Sequence, residues 1–192
     1  MKPVPIVLTV ALIAVAAQLA AQTLHEAGPG EKSLGTIENG VYHHNLTGIE
    51  FSVPGDWVMV SQSSTSTPGA QVVKLRNTST SQIATIWMKR RDADPTETEA
   101  LMKARLDDKL IQRNNFQNYK YREESVQYTT IGGRPALSAI ADYKTGERPM
   151  VECLTWVDGD KSRVVFVGRI PASELAGFET SVAPLIQSAI VP

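Results

Sequence analysis

Between Tyr119 and Gly168 the chain is cut by three turn signals: Gly132-Gly133, the stretch Lys144 to Glu147, and Asp158-Gly159. They separate β-rich runs of strand length, namely Tyr119 to Tyr128, Pro135 to Tyr143, Met150 to Val157 and Val164 to Gly168. Turns this short join antiparallel neighbours, because a parallel pair needs a crossover of a dozen or more residues. The second half of the chain is therefore predicted to be an antiparallel meander. Asp158-Gly159 reads as a primed hairpin turn in which Gly supplies the positive φ. Tyr119 to Tyr128 is heavily polar and suits one long strand with a wet face.

The first half adds shorter strands. Tyr42 and Gly48 to Val53 bracket a hairpin, and Pro54-Gly55-Asp56 turns the chain into Trp57 to Val60. Val72 to Arg76 and Ile83 to Lys89 follow, flanked by polar loops at Ser61 to Gly69 and Asn77 to Gln82. Both alternating sets of Ile83 to Lys89 are apolar, so this strand is predicted to lie centrally with both faces covered. Trp57, Trp87 and Trp156 are expected to anchor the core.

Two helices are expected. The first begins at Asp94, which can cap, with Pro95 at the first helical position and Glu97 three residues after the cap. Met102, Leu106 and Leu110 form its apolar stripe, and Asn114-Asn115 ends it. The second spans Pro171 to Ser188, with Phe178, Val182, Leu185 and Ile186 on one face and Pro184 as an interior breach that kinks or divides it. Two helices on a mostly antiparallel sheet make an α+β layered domain.

Residues 1–21 have a different character. Lys2 is the only charge before Glu26, Ile6 to Ala17 is apolar apart from Thr9, and Ala20-Ala21 offers small residues for cleavage. This is the pattern of a secretory signal peptide, and it predicts export to the periplasm or the extracellular space. The apolar stretch is too short for an ordinary spanning helix, so no stable span is expected after its removal. Residues 22–40 read as a flexible leader and 41–192 as a single domain. Cys153 is the only cysteine, which excludes an intramolecular disulfide and predicts a buried thiol on a strand.

No residues are assigned to catalysis, cofactor or metal. His43 and His44 are adjacent, and on a strand they point to opposite faces and cannot share a metal. His25 falls in the leader. The serines lack a nucleophile elbow, and Cys153 has no histidine at a recognisable spacing. Asp92/Asp94, Glu123/Glu124 and Asp158/Asp160 each fit a cap, an exposed strand or a turn. Gly132-Gly133 precedes no helix and is not a phosphate loop. Lys89-Arg90-Arg91 reads as a solvated strand end. With 19 Lys+Arg against 20 Asp+Glu, nothing favours nucleic acid.

Tyr42, Asn45 and the run Gly48-Ile49-Glu50-Phe51-Ser52-Val53-Pro54-Gly55-Asp56-Trp57 resemble the opening of the PsbP-like family, which includes the extrinsic photosystem II protein and DcrB-type exported bacterial domains. The later order of helix, strand meander and C-terminal helix is similar too, and the resemblance runs from about Tyr42 to Ile190. The resemblance implies an α/β/α sandwich around an antiparallel sheet, no catalytic residues and no cofactor. It implies a non-enzymatic accessory or binding role, and with the export pattern of residues 1–21 the leading expectation is an exported domain that binds an envelope or secreted protein. The alternatives are a small-molecule or lipid carrier with a cleft between sheet and helix, and an unrecognised hydrolase.

Overall fold

The computed structural model describes residues 34–65, 70–90, 100, 102–104, 106 and 116–192. The expected signal peptide and the first part of the leader lie outside them. So does most of the helix expected from Asp94, including Asp92, Asp94, Leu110 and Asn114-Asn115. Its described residues Ala100, Met102 to Ala104 and Leu106 are helical, and Met102 and Leu106 are buried. Among the described residues no helix is long and apolar enough to cross a membrane.

Among the described residues, two antiparallel sheets and one long helix give an α+β fold. The small sheet joins β1 (Gly35–Glu38), β2 (Val41–His44) and β3 (Glu50–Ser52). The leader expected over 22–40 therefore gives way to structure by Gly35, where β1 pairs with β2. The large sheet contains β4 (Trp57–Ser64), β5 (Ala70–Asn77), β6 (Ile83–Arg90), β7 (Gln117–Tyr121), β8 (Gln127–Ile131), β9 (Arg134–Thr145), β10 (Arg148–Asp158) and β11 (Ser162–Pro171). Their order is β4-β5-β6-β11-β10-β9-β7, with β8 also pairing along β9. The meander is present, and hairpin closure between β10 and β11 places them at the centre.

Several local expectations are corrected. Ser61 to Ser64 continue β4 instead of opening a loop, because each faces a β5 residue from Lys74 to Gln71 in register. Tyr119 to Tyr128 is two strands, not one. The chain leaves the ladder at Arg122, makes a 3-10 turn over Glu123–Ser125, and returns as β8. Ser125 Oγ accepts from the Ile140 N–H at 2.9 Å and so replaces a lost backbone acceptor. Asp158-Gly159 does start a hairpin, but Gly159 does not take a positive φ. A Cβ there would lie 2.2 Å from the Pro192 carbonyl oxygen, so Gly is needed for close approach of the C-terminal tail. Gly132 and Gly133 do take positive φ, 58° and 77°.

The C-terminal helix spans Leu175–Gln187 after a 3-10 turn over Ala172–Glu174, and it runs unbroken through Pro184. Pro184 stands one turn from the end and is exposed, which limits its disruption to the last ladder bonds. Phe178, Val182 and Leu185 of this helix meet Ile86, Met88, Val164 and Phe166 of the sheet and Phe51 of β3 in the main core. The opposite sheet face carries a second cluster of Leu137, Leu154, Trp156, Val165 and Val167 with Met102 and Leu106. Trp57 and Trp156 are buried, but Trp87 is 44% exposed. The strand β6 is central as expected, yet only its Ala84, Ile86 and Met88 face is covered.

Candidate functional site

The helix sits off-centre on the sheet, and its sequence explains why. Gly168 of β11 lets the Phe178 ring rest on the backbone, and a Cβ there would approach the ring to 2.2 Å. Three tethers hold the other side toward β3 and β4. Ser52 N–H donates to Ser188 Oγ at 2.8 Å, and Trp57 Nε1–H donates to the Ser181 carbonyl at 3.0 Å. Glu50 and Ile190 form a β-bridge. The helix thus covers β11 and β6 and leaves the β8–β9 end of the same face open.

Toward the open end that face carries small and polar side chains, with Ile140 the large apolar residue among them. In one register row Ile86 and Phe166 are followed by Thr155, Ser138 and Gln127. In the next, Ala84 and Gly168 are followed by Cys153 and Ile140. The result is a cleft of about 550 Å³ between sheet and helix. Ser138, Ile140, Cys153 and Thr155 make the floor, Gln127 and Thr129 one wall, and Glu179, Ala183, Ile186 and Gln187 the other. Gln127, Thr129, Glu179 and Gln187 are exposed, so the cleft is open at its rim. Its size falls within the range of small-ligand pockets, roughly 300–1,000 Å³.

The chemistry of the lining is limited. Ser138 Oγ and Thr155 Oγ1 bond each other at 3.0 Å. Cys153 is half-buried rather than buried, and burial raises its thiol pKa to about 12, with the Glu179 charge adding to the rise. A thiol so placed stays protonated at neutral pH and is a poor nucleophile. Among the described residues no His, Lys or Arg lines the cleft, and Glu179 is its only charged lining residue. The fold therefore gathers Ser138, Cys153, Thr155 and Glu179, which are dispersed in the sequence, without placing a histidine base among them.

His43, His44, Glu123, Glu124, Asp158 and Asp160 do not line the cleft, while His25, Asp92 and Asp94 lie outside the described residues. His43 Nδ1 meets Glu50 at 3.0 Å near the surface. His44 is buried, bonded to Thr47 at 2.5 Å and to Gln71. Burial holds its pKa below the ordinary imidazole value, with the Gln71 bond opposing. Asp158 is buried against Arg163, while Asp160 meets Arg134 at 2.7 Å. Glu152, 1% exposed, accepts from Arg169 at 2.7 Å and from the Tyr119 hydroxyl at 2.8 Å. Glu123 and Glu124 are exposed on the 3-10 turn. Among the described residues no three His, Cys, Asp or Glu side chains group as metal ligands.

With that geometry in view, comparison with solved structures decides the fold type. Cyanobacterial PsbP from Synechocystis superposes with a TM-score of 0.58 at 13% identity, covering 86% of this chain and 97% of that one. The fold is PsbP-like. LpqN of Mycobacterium tuberculosis, a protein involved in cell envelope biogenesis, gives 0.48 at 16% identity over 75% of this chain and 83% of its own. PA94 of Pseudomonas aeruginosa gives 0.47 at 14% over 83% and 98%. No protein-family model matches the sequence, and no curated protein matches it.

Proposed function

We propose that the chain is an exported, non-enzymatic accessory domain that works by binding, and that its partner enters the cleft between β8–β10 and the C-terminal helix. The observation that carries the reading is the lining itself: apolar patches, hydroxyls and amides around one carboxylate, with a thiol held in its protonated form. Such a surface offers hydrogen bonds and contact area but no activated nucleophile. An exposed rim favours a protein segment laid across it over a small molecule sealed inside. Glu179 selects against acidic ligands, so the segment is uncharged or basic. The N-terminal pattern of residues 1–21 supports an envelope or secreted partner.

Selection of displayed random peptides on the immobilised full chain tests this. Uncharged or basic sequences are expected, with retention abolished by Ala183→Trp, which fills the cleft, or by Thr129→Arg on the opposite wall. Glu179→Lys is expected to shift the selected sequences toward acidic ones. Selection of the same peptides by all variants would contradict the reading. Native mass spectrometry that shows a co-purified small molecule, lost in Ala183→Trp, would instead establish the carrier alternative.

A further inference from the structure

Strands β4, β5 and β6 carry Lys74, Arg76, Lys89 and Arg90 and no Asp or Glu. Strand alternation puts Lys74, Arg76 and Lys89 on the face turned away from the C-terminal helix, together with Ile83, Thr85 and Trp87. The register fixes the pattern. Val72 lies opposite Trp87, Lys74 opposite Thr85, Arg76 opposite Ile83, and Ala70 opposite Lys89. Lys74 and Lys89 thus flank Trp87 at diagonal and same-strand spacing, within reach of its ring edge. Trp87 and Ile83 are 44% and 43% exposed. None of the three cations is ion-paired to a described residue.

The same face behaves differently two strands away. On β10 and β11 Arg163 and Arg169 already have carboxylates: Arg163 meets Asp158 and Arg169 meets Glu152. Beside the exposed Trp87 and Ile83, by contrast, three cations stand together with no carboxylate among the described residues paired to them. The β4–β6 face is a plane of strands, and Ser61 and Ser63 extend its rows with hydroxyls. An exposed Trp with cations around it is the arrangement that suits a membrane interface, where the ring enters the headgroup layer and Lys and Arg meet lipid anions.

We infer that this face docks on an anionic bilayer surface, with Trp87 and Ile83 entering the headgroup region and Lys74, Arg76 and Lys89 binding lipid headgroup charge. The site is separate from the cleft, so either can fail without the other. The test is sedimentation of the full chain with vesicles of phosphatidylcholine alone or with about one-third phosphatidylglycerol. Variants of the same full chain serve as controls, which cancels any contribution from apolar residues 1–21. Preferential binding to the anionic vesicles, reversed by salt, is expected. Each cation removed is expected to lower partitioning roughly fivefold, so Lys74→Glu/Lys89→Glu falls well over tenfold, and Trp87→Ser weakens binding with folding intact.

Acrylamide quenching supplies a second readout. Trp57 and Trp156 are buried, so Trp87 carries the accessible fluorescence, and anionic vesicles should shield it. Equal sedimentation of the wild type and both variants, or unshielded Trp87 on anionic vesicles, would overturn the inference. Binding to soluble polyglutamate but not to vesicles would overturn it too, and would mark the face as a site for acidic protein.

Discussion

At the scale of single residues, chemically similar side chains have very different duties here. Trp57 is 3% exposed and bonds the helix carbonyl of Ser181, whereas Trp87 stands half in water. Trp57→Ala should cost about 3–5 kcal/mol through a lost core contact, and Trp87→Ala should stay within about 0.5 kcal/mol. Urea unfolding of both checks this, and equal losses would contradict it. His44 makes a pH prediction. Its folded pKa lies below the ordinary value of 6.5, so the unfolded chain takes up a proton first as pH falls. Its contribution to stability is full above about pH 6.5 and is lost progressively below it. The wild type should lose urea resistance more steeply than His44→Gln between about pH 7 and pH 5. Parallel slopes would contradict the assignment.

At the scale of elements, the fate of the helix is decided by one missing side chain. Gly168→Ala would drive a methyl into the Phe178 ring and should cost about 1–3 kcal/mol by overpacking, partly recovered by adding Phe178→Leu. Unchanged thermal unfolding of the single variant would refute that packing. The strands themselves were legible because Gly132-Gly133 and Asp158-Gly159 cut the chain where the pleat reverses. The break in Tyr119 to Tyr128 was not, since it depends on Ser125 reaching the Ile140 N–H, a contact between residues far apart in sequence. The exposed side of β6 was missed for a related reason. Alternation reports that Ile83 and Trp87 share a face but not whether anything lies over it.

At the scale of the whole molecule, the cleft follows from two facts that become visible only together. The helix is tethered toward β3 and β4, and the part of the sheet it leaves open carries Ser138, Cys153 and Thr155 beside Ile140. The small and polar residues were present in the sequence. Their convergence needed the register of three strands and the position of the helix. The fold type is PsbP-like, and the account of function stands on the cleft rather than on that likeness. Photo-crosslinking from Gln187, on the cleft rim, against Ser79, in the β5–β6 turn, tests that account most directly when done in the cells that make the protein. A discrete adduct from Gln187, absent from Ser79 and abolished by Ala183→Trp and by Thr129→Arg, is the expected result. Equal adducts from both positions, or a Gln187 adduct untouched by filling the cleft, would contradict it.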